Sequence, residues 1–196
     1  MNEEKDVRQK EKNSVSKRSN FALRSAKECA YIAVFVALLI GGQFALSAVP
    51  GVEVVTPLFI TYAFVFGIRR GVLTATAFAL LRQFVFGVFP NVLLLYLLYY
   101  NGVAVLFGFL GQRLKRPWVS WLAVLGVACI CTLGFTLLDN LLNLIWMGSV
   151  SKRVVEIYIS ASVPVMITQT VCAFITVGGL FLPLRKIFLI AKRGLR

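Results

Sequence analysis

The chain has 196 residues, of which 59% are hydrophobic and 15% charged, with a formal net charge of +13 and no histidine. Soluble domains sit near 45–50% apolar and about 25% charged, so an ordinary globular protein is excluded, and so is a second soluble domain. Without imidazole, HExxH-type zinc sites, Ser-His catalysis and histidine proton relays are excluded as well.

The first 27 residues, MNEEKDVRQKEKNSVSKRSNFALRSAK, carry eight Lys or Arg and four acids. They predict a disordered, solvated tail able to rest on anionic lipid. A secretory signal is the competing reading, because ALSA at 45–48 has the look of a cleavage site. The charged stretch ahead of it is too long and too acidic for one.

The first apolar run covers roughly 29–49 and stops at Pro50-Gly51. A small residue returns on almost every turn: Ala30, Ala33, Ala37, Gly41 and Ala45. Leucine would satisfy a bilayer equally well, whereas small residues let another helix approach closely. That neighbour is either a helix of this chain or one from a separate subunit.

The second run, roughly 54–68, ends at Arg69-Arg70, and the third, roughly 71–88, turns at Phe89-Pro90-Asn91. Both are short for a hydrocarbon core of about 30 Å. The fourth, roughly 92–111, ends in QRLKRP, and the fifth covers roughly 118–146. The fifth is long enough for its end, DNLLNLIWM, to continue past the hydrocarbon. The last covers roughly 158–183 and gives way to Pro183-Leu184-Arg185-Lys186.

Lys and Arg at the connections set the orientation. A cytoplasmic N-terminus places 18 of the 21 basic residues inside and only Lys152 and Arg153 outside, with Arg82 left within the membrane. Basic residues that sit between and outside the runs mark topology, not nucleic-acid binding. The sequence therefore predicts an all-α integral membrane protein with six transmembrane helices and both termini cytoplasmic. Residues 1–27 form a basic tail, 28–190 the membrane domain and 191–196 a second basic tail. No repeat relates the two halves, which argues against an inverted-repeat transporter.

The cysteines, Cys29, Cys129, Cys131 and Cys172, fall in or beside apolar runs. Cys129 and Cys131 lack CxxC spacing, so packing is their expected role, with no metal and no cofactor.

Polar residues within spans are the candidates for function. Arg82 lies roughly 17 Å along the third run and Asp139 roughly 32 Å along the fifth, at 1.5 Å per residue. Helices running in opposite directions can bring the two into a salt bridge, so they are either ligand contacts or a structural ion pair. Asp139, Asn143 and Trp146 share a face by i, i+4, i+7 spacing, with Asn140 beside it. Tyr96 and Tyr100 repeat that spacing on the fourth helix, with Asn91 at its start and Asn101 adjacent. Gln43, Gln83 and Gln169, the last beside Thr168, complete the set, with Glu53 in the first outer loop. The aromatic residues can instead form an interfacial belt, and the amides can be interhelical glue. Most of these groups fall in the outer half, which suits a small water-soluble ligand with a flat ring. Arg82 and the acids together permit an amphoteric or anionic one.

A family resemblance adds to this. A basic tail leads into a first helix carrying AxxxA (Ala33-Val-Phe-Val-Ala37). Six spans, cytoplasmic termini, a Pro-Gly outer loop and the segment PGVEVVTPLFITYAFVFGIRRG follow. The chain resembles the substrate-capture (S) component of an energy-coupling-factor (ECF) vitamin transporter, over nearly all residues after 27. The resemblance implies that Ala33 and Ala37, with Gly41 on the same stripe, face a membrane-embedded coupling subunit. It places the ligand pocket at the first outer loop and the outer parts of the last three helices. Here those positions hold Glu53, Tyr96, Tyr100, Asp139, Asn143, Trp146 and Gln169. Arg82 lies outside the usual pocket helices and stands as a candidate on its intramembrane position.

The chain has no GxxxxGK[ST] phosphate loop, so two cytoplasmic ATPase partners would supply the energy. The expected setting is a prokaryotic plasma membrane, the expected cargo a vitamin or similar micronutrient, and the chain itself is not an enzyme. The rival reading is an independent small-solute transporter or channel, which needs polar groups along the full membrane depth. An intramembrane enzyme would need an inner acidic cluster, and a purely structural protein would leave Arg82 and Asp139 without a ligand.

Overall fold

A computed structural model describes residues 26–48, 54–114, 116–148 and 151–194. Most of the predicted N-terminal tail, the first outer loop with Glu53, and residues 195–196 lie outside the described residues. Among the described residues the secondary structure is entirely helical: α1 (Ala26–Leu46), α2 (Val55–Phe66), α3 (Ile68–Phe86), α4 (Pro90–Arg113), α5 (Pro117–Met147) and α6 (Lys152–Gly194). Four of these, α1, α4, α5 and α6, are long and apolar enough to cross a membrane. α2 is apolar but has only 12 residues, and α3 has 19, diluted by Arg69, Arg70 and Arg82.

Local chemistry explains the helix ends. Proline opens both α4 and α5, where its missing N–H would go unused in any case. α5 stops at Gly148 in the left-handed region, φ 64°. A single residue, Gly67 at φ 85°, joins α2 to α3. Its N–H bonds to Ala63 O at 2.9 Å, and its own carbonyl accepts from the Gly71 N–H at 3.0 Å. So sharp a reversal leaves Arg69 and Arg70 inside the first turn of α3, not in a loop as the sequence suggests.

α2 is the centre of the bundle: every residue but Leu58 is buried, as befits a helix apolar all round. It packs on α3, α4 and α6. Phe59 of α2 and Phe78 of α3 both meet the ring of Tyr100 edge-on at 5.1 Å, which seats α4 against the pair. At the α2–α3 turn the approach is closer still. A Cβ on Gly111 would lie 1.9 Å from Phe64 O, and one on Gly108 would lie 2.7 Å from Ile68 N. Only glycine permits that contact.

α6 runs on past Pro183 to Gly194, so residues 191–194, expected to begin a basic tail, are its last turn. The helix has 43 residues, roughly 65 Å at 1.5 Å per residue, more than a bilayer requires. Tertiary contacts hold the extension. Phe188 is buried in an aromatic cluster with Phe35, Tyr62 and Phe66. The Lys192 ammonium donates to Val65 O near the end of α2, where helix carbonyls lack partners. Arg70 pairs with Glu28 at this same end, which also gathers Arg69, Arg113, Arg116, Arg185 and Arg193. We call it the basic end, and the opposite one the distal end.

The exterior is apolar. Val34, Leu122, Ile130, Ile167 and Ile175, among many others, stand exposed. A continuous surface of this kind belongs in lipid, not water. Five threonine hydroxyls, those of Thr61, Thr132, Thr168, Thr170 and Thr176, donate to carbonyls four residues back. The molecule is a helical membrane protein.

Candidate ligand site at the distal end

Two polar clusters occupy the distal half. The first joins α1, α3 and α4. Gln43 Nε2 donates to the Tyr96 hydroxyl at 2.9 Å, and Arg82 Nε donates to Gln43 Oε1 at 3.0 Å. The Arg82 guanidinium lies 4.0 Å from the Tyr96 ring centroid and 4.8 Å from that of Phe86, a cation–π arrangement. Gln43 thus uses its donor on one neighbour and its acceptor on the other.

The Arg82–Asp139 salt bridge that the sequence permits is not formed. Among the described residues the ion pair is Arg70–Glu28. Similar depth did not imply similar azimuth: Arg82 turns toward α1 and α4, while Asp139 is held within the second cluster. Gln83, the other polar residue beside Arg82, serves the chain turn; its Oε1 accepts from the Phe89 N–H at 3.4 Å. Asn101 bridges helices, accepting from Thr76 Oγ1 at 3.3 Å and donating to Leu97 O at 2.8 Å.

The second cluster joins α4, α5 and α6. Asn91 Nδ2 donates to Asn143 Oδ1 at 2.9 Å, and Asn143 Nδ2 donates to Asp139 Oδ1 at 3.1 Å. Across the gap, Ser162 Oγ lies 3.0 Å from Asn140 Oδ1. Between α5 and α6 these residues frame an open-sided cleft of about 310 Å³. Thr136, Asp139, Asn140 and Asn143 line it from α5, and Ile157, Tyr158, Ala161, Ser162 and Val165 from α6. That volume sits at the lower end of the range for small-molecule sites, about 300–1,000 Å³.

Asp139 and Asn143 therefore share the cleft, as their i, i+4 spacing predicts. Trp146 does not line it and is 66% exposed. Tyr100 is core: Phe59, Phe78, Tyr96 and Tyr99 surround it. With Gln169 it borders a void of about 10 Å³, room for about one water. Gln169 Oε1 accepts from Thr136 Oγ1 at 3.0 Å, so it supports the cleft from behind. Glu53 lies outside the described residues.

Sequence reasoning missed Thr136, Tyr158 and Ser162. The signal was present, since 136, 139, 140 and 143 follow i, i+3, i+4, i+7, and 158, 161, 162 and 165 repeat it. Each set lies within a single predicted run; what the sequence does not carry is that the two helix faces meet.

The small stripe of α1 faces outward. Ala30, Ala33, Ala37, Gly41 and Ala45 are all exposed, while Phe35, Val36 and Leu39 on the other side are buried. A Cβ on Gly41 would meet nothing within 4 Å. Packing against the chain's own helices, the alternative role for this stripe, does not occur among the described residues.

No group of three or more His, Cys, Asp or Glu able to hold a metal occurs among the described residues. Comparison with protein-family models, curated proteins and solved structures finds no match to this chain.

Proposed function

We propose that the chain is the substrate-capture subunit of an ECF-type importer, taking a vitamin or similar small water-soluble nutrient into its distal cleft. The exposure of Ala33, Ala37 and Gly41 carries this reading. These positions form a low strip on a membrane-facing helix that no helix of the described chain covers. A surface of that kind suits close and sliding contact with a second membrane protein.

The basic end is cytoplasmic by the positive-inside rule, which turns the cleft toward the exterior of a prokaryotic plasma membrane. On this topology all six helices count as spans, α2 and α3 being short ones, and both termini are cytoplasmic. Substrate enters the cleft with the subunit upright. Docking along α1 to the coupling subunit, energised by two ATPases, then tips the subunit and turns the cleft inward. The chain performs no catalytic step.

An independent transporter or channel is the alternative. Polar groups concentrate in the distal half, whereas Phe35, Tyr62, Phe66 and Phe188 fill the centre of the basic half. Such aromatic packing among the described residues does not favour a permeation route through this chain alone. Affinity purification from native membranes tests the proposal. The wild-type chain is expected to bring down one polytopic partner and cytoplasmic ATPases, and Ala33→Trp to lose them. Purification with no partners, or partner capture indifferent to Ala33→Trp, would count against it.

A further inference from the structure

The distal cleft has a charge character that bears on its ligand. Among the described residues that line it, Asp139 is the one charged side chain. Its neighbours are neutral: the amides Asn140 and Asn143, the hydroxyls of Thr136, Tyr158 and Ser162, and the apolar wall of Ile157, Ala161 and Val165. The polar contact the structure gives the carboxylate is a single amide hydrogen bond, from Asn143 at 3.1 Å. No described Lys or Arg approaches within 4.0 Å of it. Arg82, the natural counter-ion by depth, is engaged with Gln43 and Tyr96 instead.

A carboxylate in a membrane helix is expensive unless a cation or several donors face it. The donors here are too few, and the nearest cations by sequence, Lys152 and Arg153, are exposed at the first turn of α6 and do not line the cleft. Glu156, on the next turn, is exposed as well. Water and salt screen all three.

Taking the cleft as the capture site, we infer that its ligand class is a small organic cation. The ligand would be an amine or protonated heterocycle whose N–H donates to Asp139. Its remaining donors and acceptors would meet Asn140, Asn143 and Ser162, and its apolar body would lie on Ile157, Ala161 and Val165. A bare metal ion or ammonium would leave most of the 310 Å³ unfilled. A carboxylate or phosphate ligand would face Asp139 as a like charge. The sequence allowed an amphoteric or anionic ligand; the lone carboxylate of the cleft instead favours one that presents a positive group.

The test uses the full-length chain in lipid nanodiscs and two probes of equal size and opposite charge, tyramine and 3-(4-hydroxyphenyl)propionate. Tyramine is expected to bind saturably and to raise the unfolding temperature, and the propionate is not. Asp139→Asn keeps the side-chain shape and leaves an oxygen for Asn143 to donate to. It should weaken tyramine about tenfold or more, the scale of losing a charge-assisted hydrogen bond. Asp139→Glu should retain binding to within a few-fold, which separates loss of charge from loss of fold. Failure of tyramine to bind, equal binding of both probes, or indifference to Asp139→Asn overturns the inference. So does the same stabilisation from sodium ion alone, which would make the site one for an inorganic cation.

Binding by the isolated subunit does not depend on docking, so the two proposals fail separately. A chain that binds tyramine but purifies without partners keeps the cation site and loses the capture role. One that docks partners but prefers the propionate does the reverse.

Discussion

Gly111→Ala places a methyl group where the chain has none to spare. The new Cβ would stand 1.9 Å from Phe64 O, 2.8 Å from Phe64 C and 3.1 Å from its Cα. Carbon–oxygen contacts settle near 3.3–3.6 Å, so the backbones of α4 and α2 must separate by about 1.5 Å. None of these three atoms belongs to a flexible side chain, and the neighbouring contact at Gly108, 2.7 Å from Ile68 N, opens with it. Overpacking of this kind costs roughly 1–3 kcal/mol or more. Against this stands a gain of about 1 kcal/mol for alanine over glycine inside a helix.

Gly102 on the same helix is the control, because a Cβ there meets nothing within 4 Å and only the helical gain applies. Thermal unfolding in detergent, followed by intrinsic tryptophan fluorescence, should show Gly111→Ala falling below wild type and Gly102→Ala matching or exceeding it. The helical gain is common to both variants, so at roughly 2–4 °C per kcal/mol for a chain of this size they should differ by about 2–12 °C. Equal midpoints would refute the close approach of α4 to the α2–α3 turn.

Three further outcomes follow from the packing and the site. Gln43→Leu removes the hydrogen bonds to Tyr96 and Arg82 at similar volume and should cost about 2 kcal/mol; an unmoved unfolding midpoint would make that network ornamental. Phe188→Ala empties a buried ring site between Phe35 and Tyr62 and should cost about 3–5 kcal/mol. Phe174→Ala, on the exposed face of the same helix, should shift the midpoint little. In the tyramine assay Asn143→Ala should weaken binding severalfold and Trp146→Phe should leave it unchanged. The opposite ranking would move the site to the outer rim.

Periodicity and composition made the helical membrane character legible, and the six runs match six helices to within a few residues at most ends. α6 is the exception. Pro183 looks like a terminus, yet burial of Phe188 and the Lys192 bond to Val65 O draw the helix onward. Such contacts join residues more than a hundred positions apart, and no local signal announces them. Arg69-Arg70 looks like a loop because two cations usually need one. Gly67 alone completes the turn, and the arginines join α3.

The site was partly legible for a related reason. Spacing on one helix predicted Asp139 beside Asn143, because that relation is local. Pairing Arg82 with Asp139 required knowing how two helices are rotated about their own axes. Depth along the chain carries no information on that, and Gln43 and Tyr96 had the prior claim on Arg82. The alanine stripe was visible as a pattern, but whether it faced inward or outward depended on the opposite face. There Phe35, Val36 and Leu39 fill the core and leave the small residues outside.

The central claim is that the exposed strip of α1 docks a separate energising subunit while the distal cleft binds ligand independently. Ala33→Trp and Ala37→Trp each put an indole on that strip without touching the cleft. Ligand binding by the purified chain and uptake by cells carrying the complete transporter should be measured side by side. Retained binding with abolished uptake is the predicted result; uptake that survives both substitutions, or binding and uptake lost together, would contradict it.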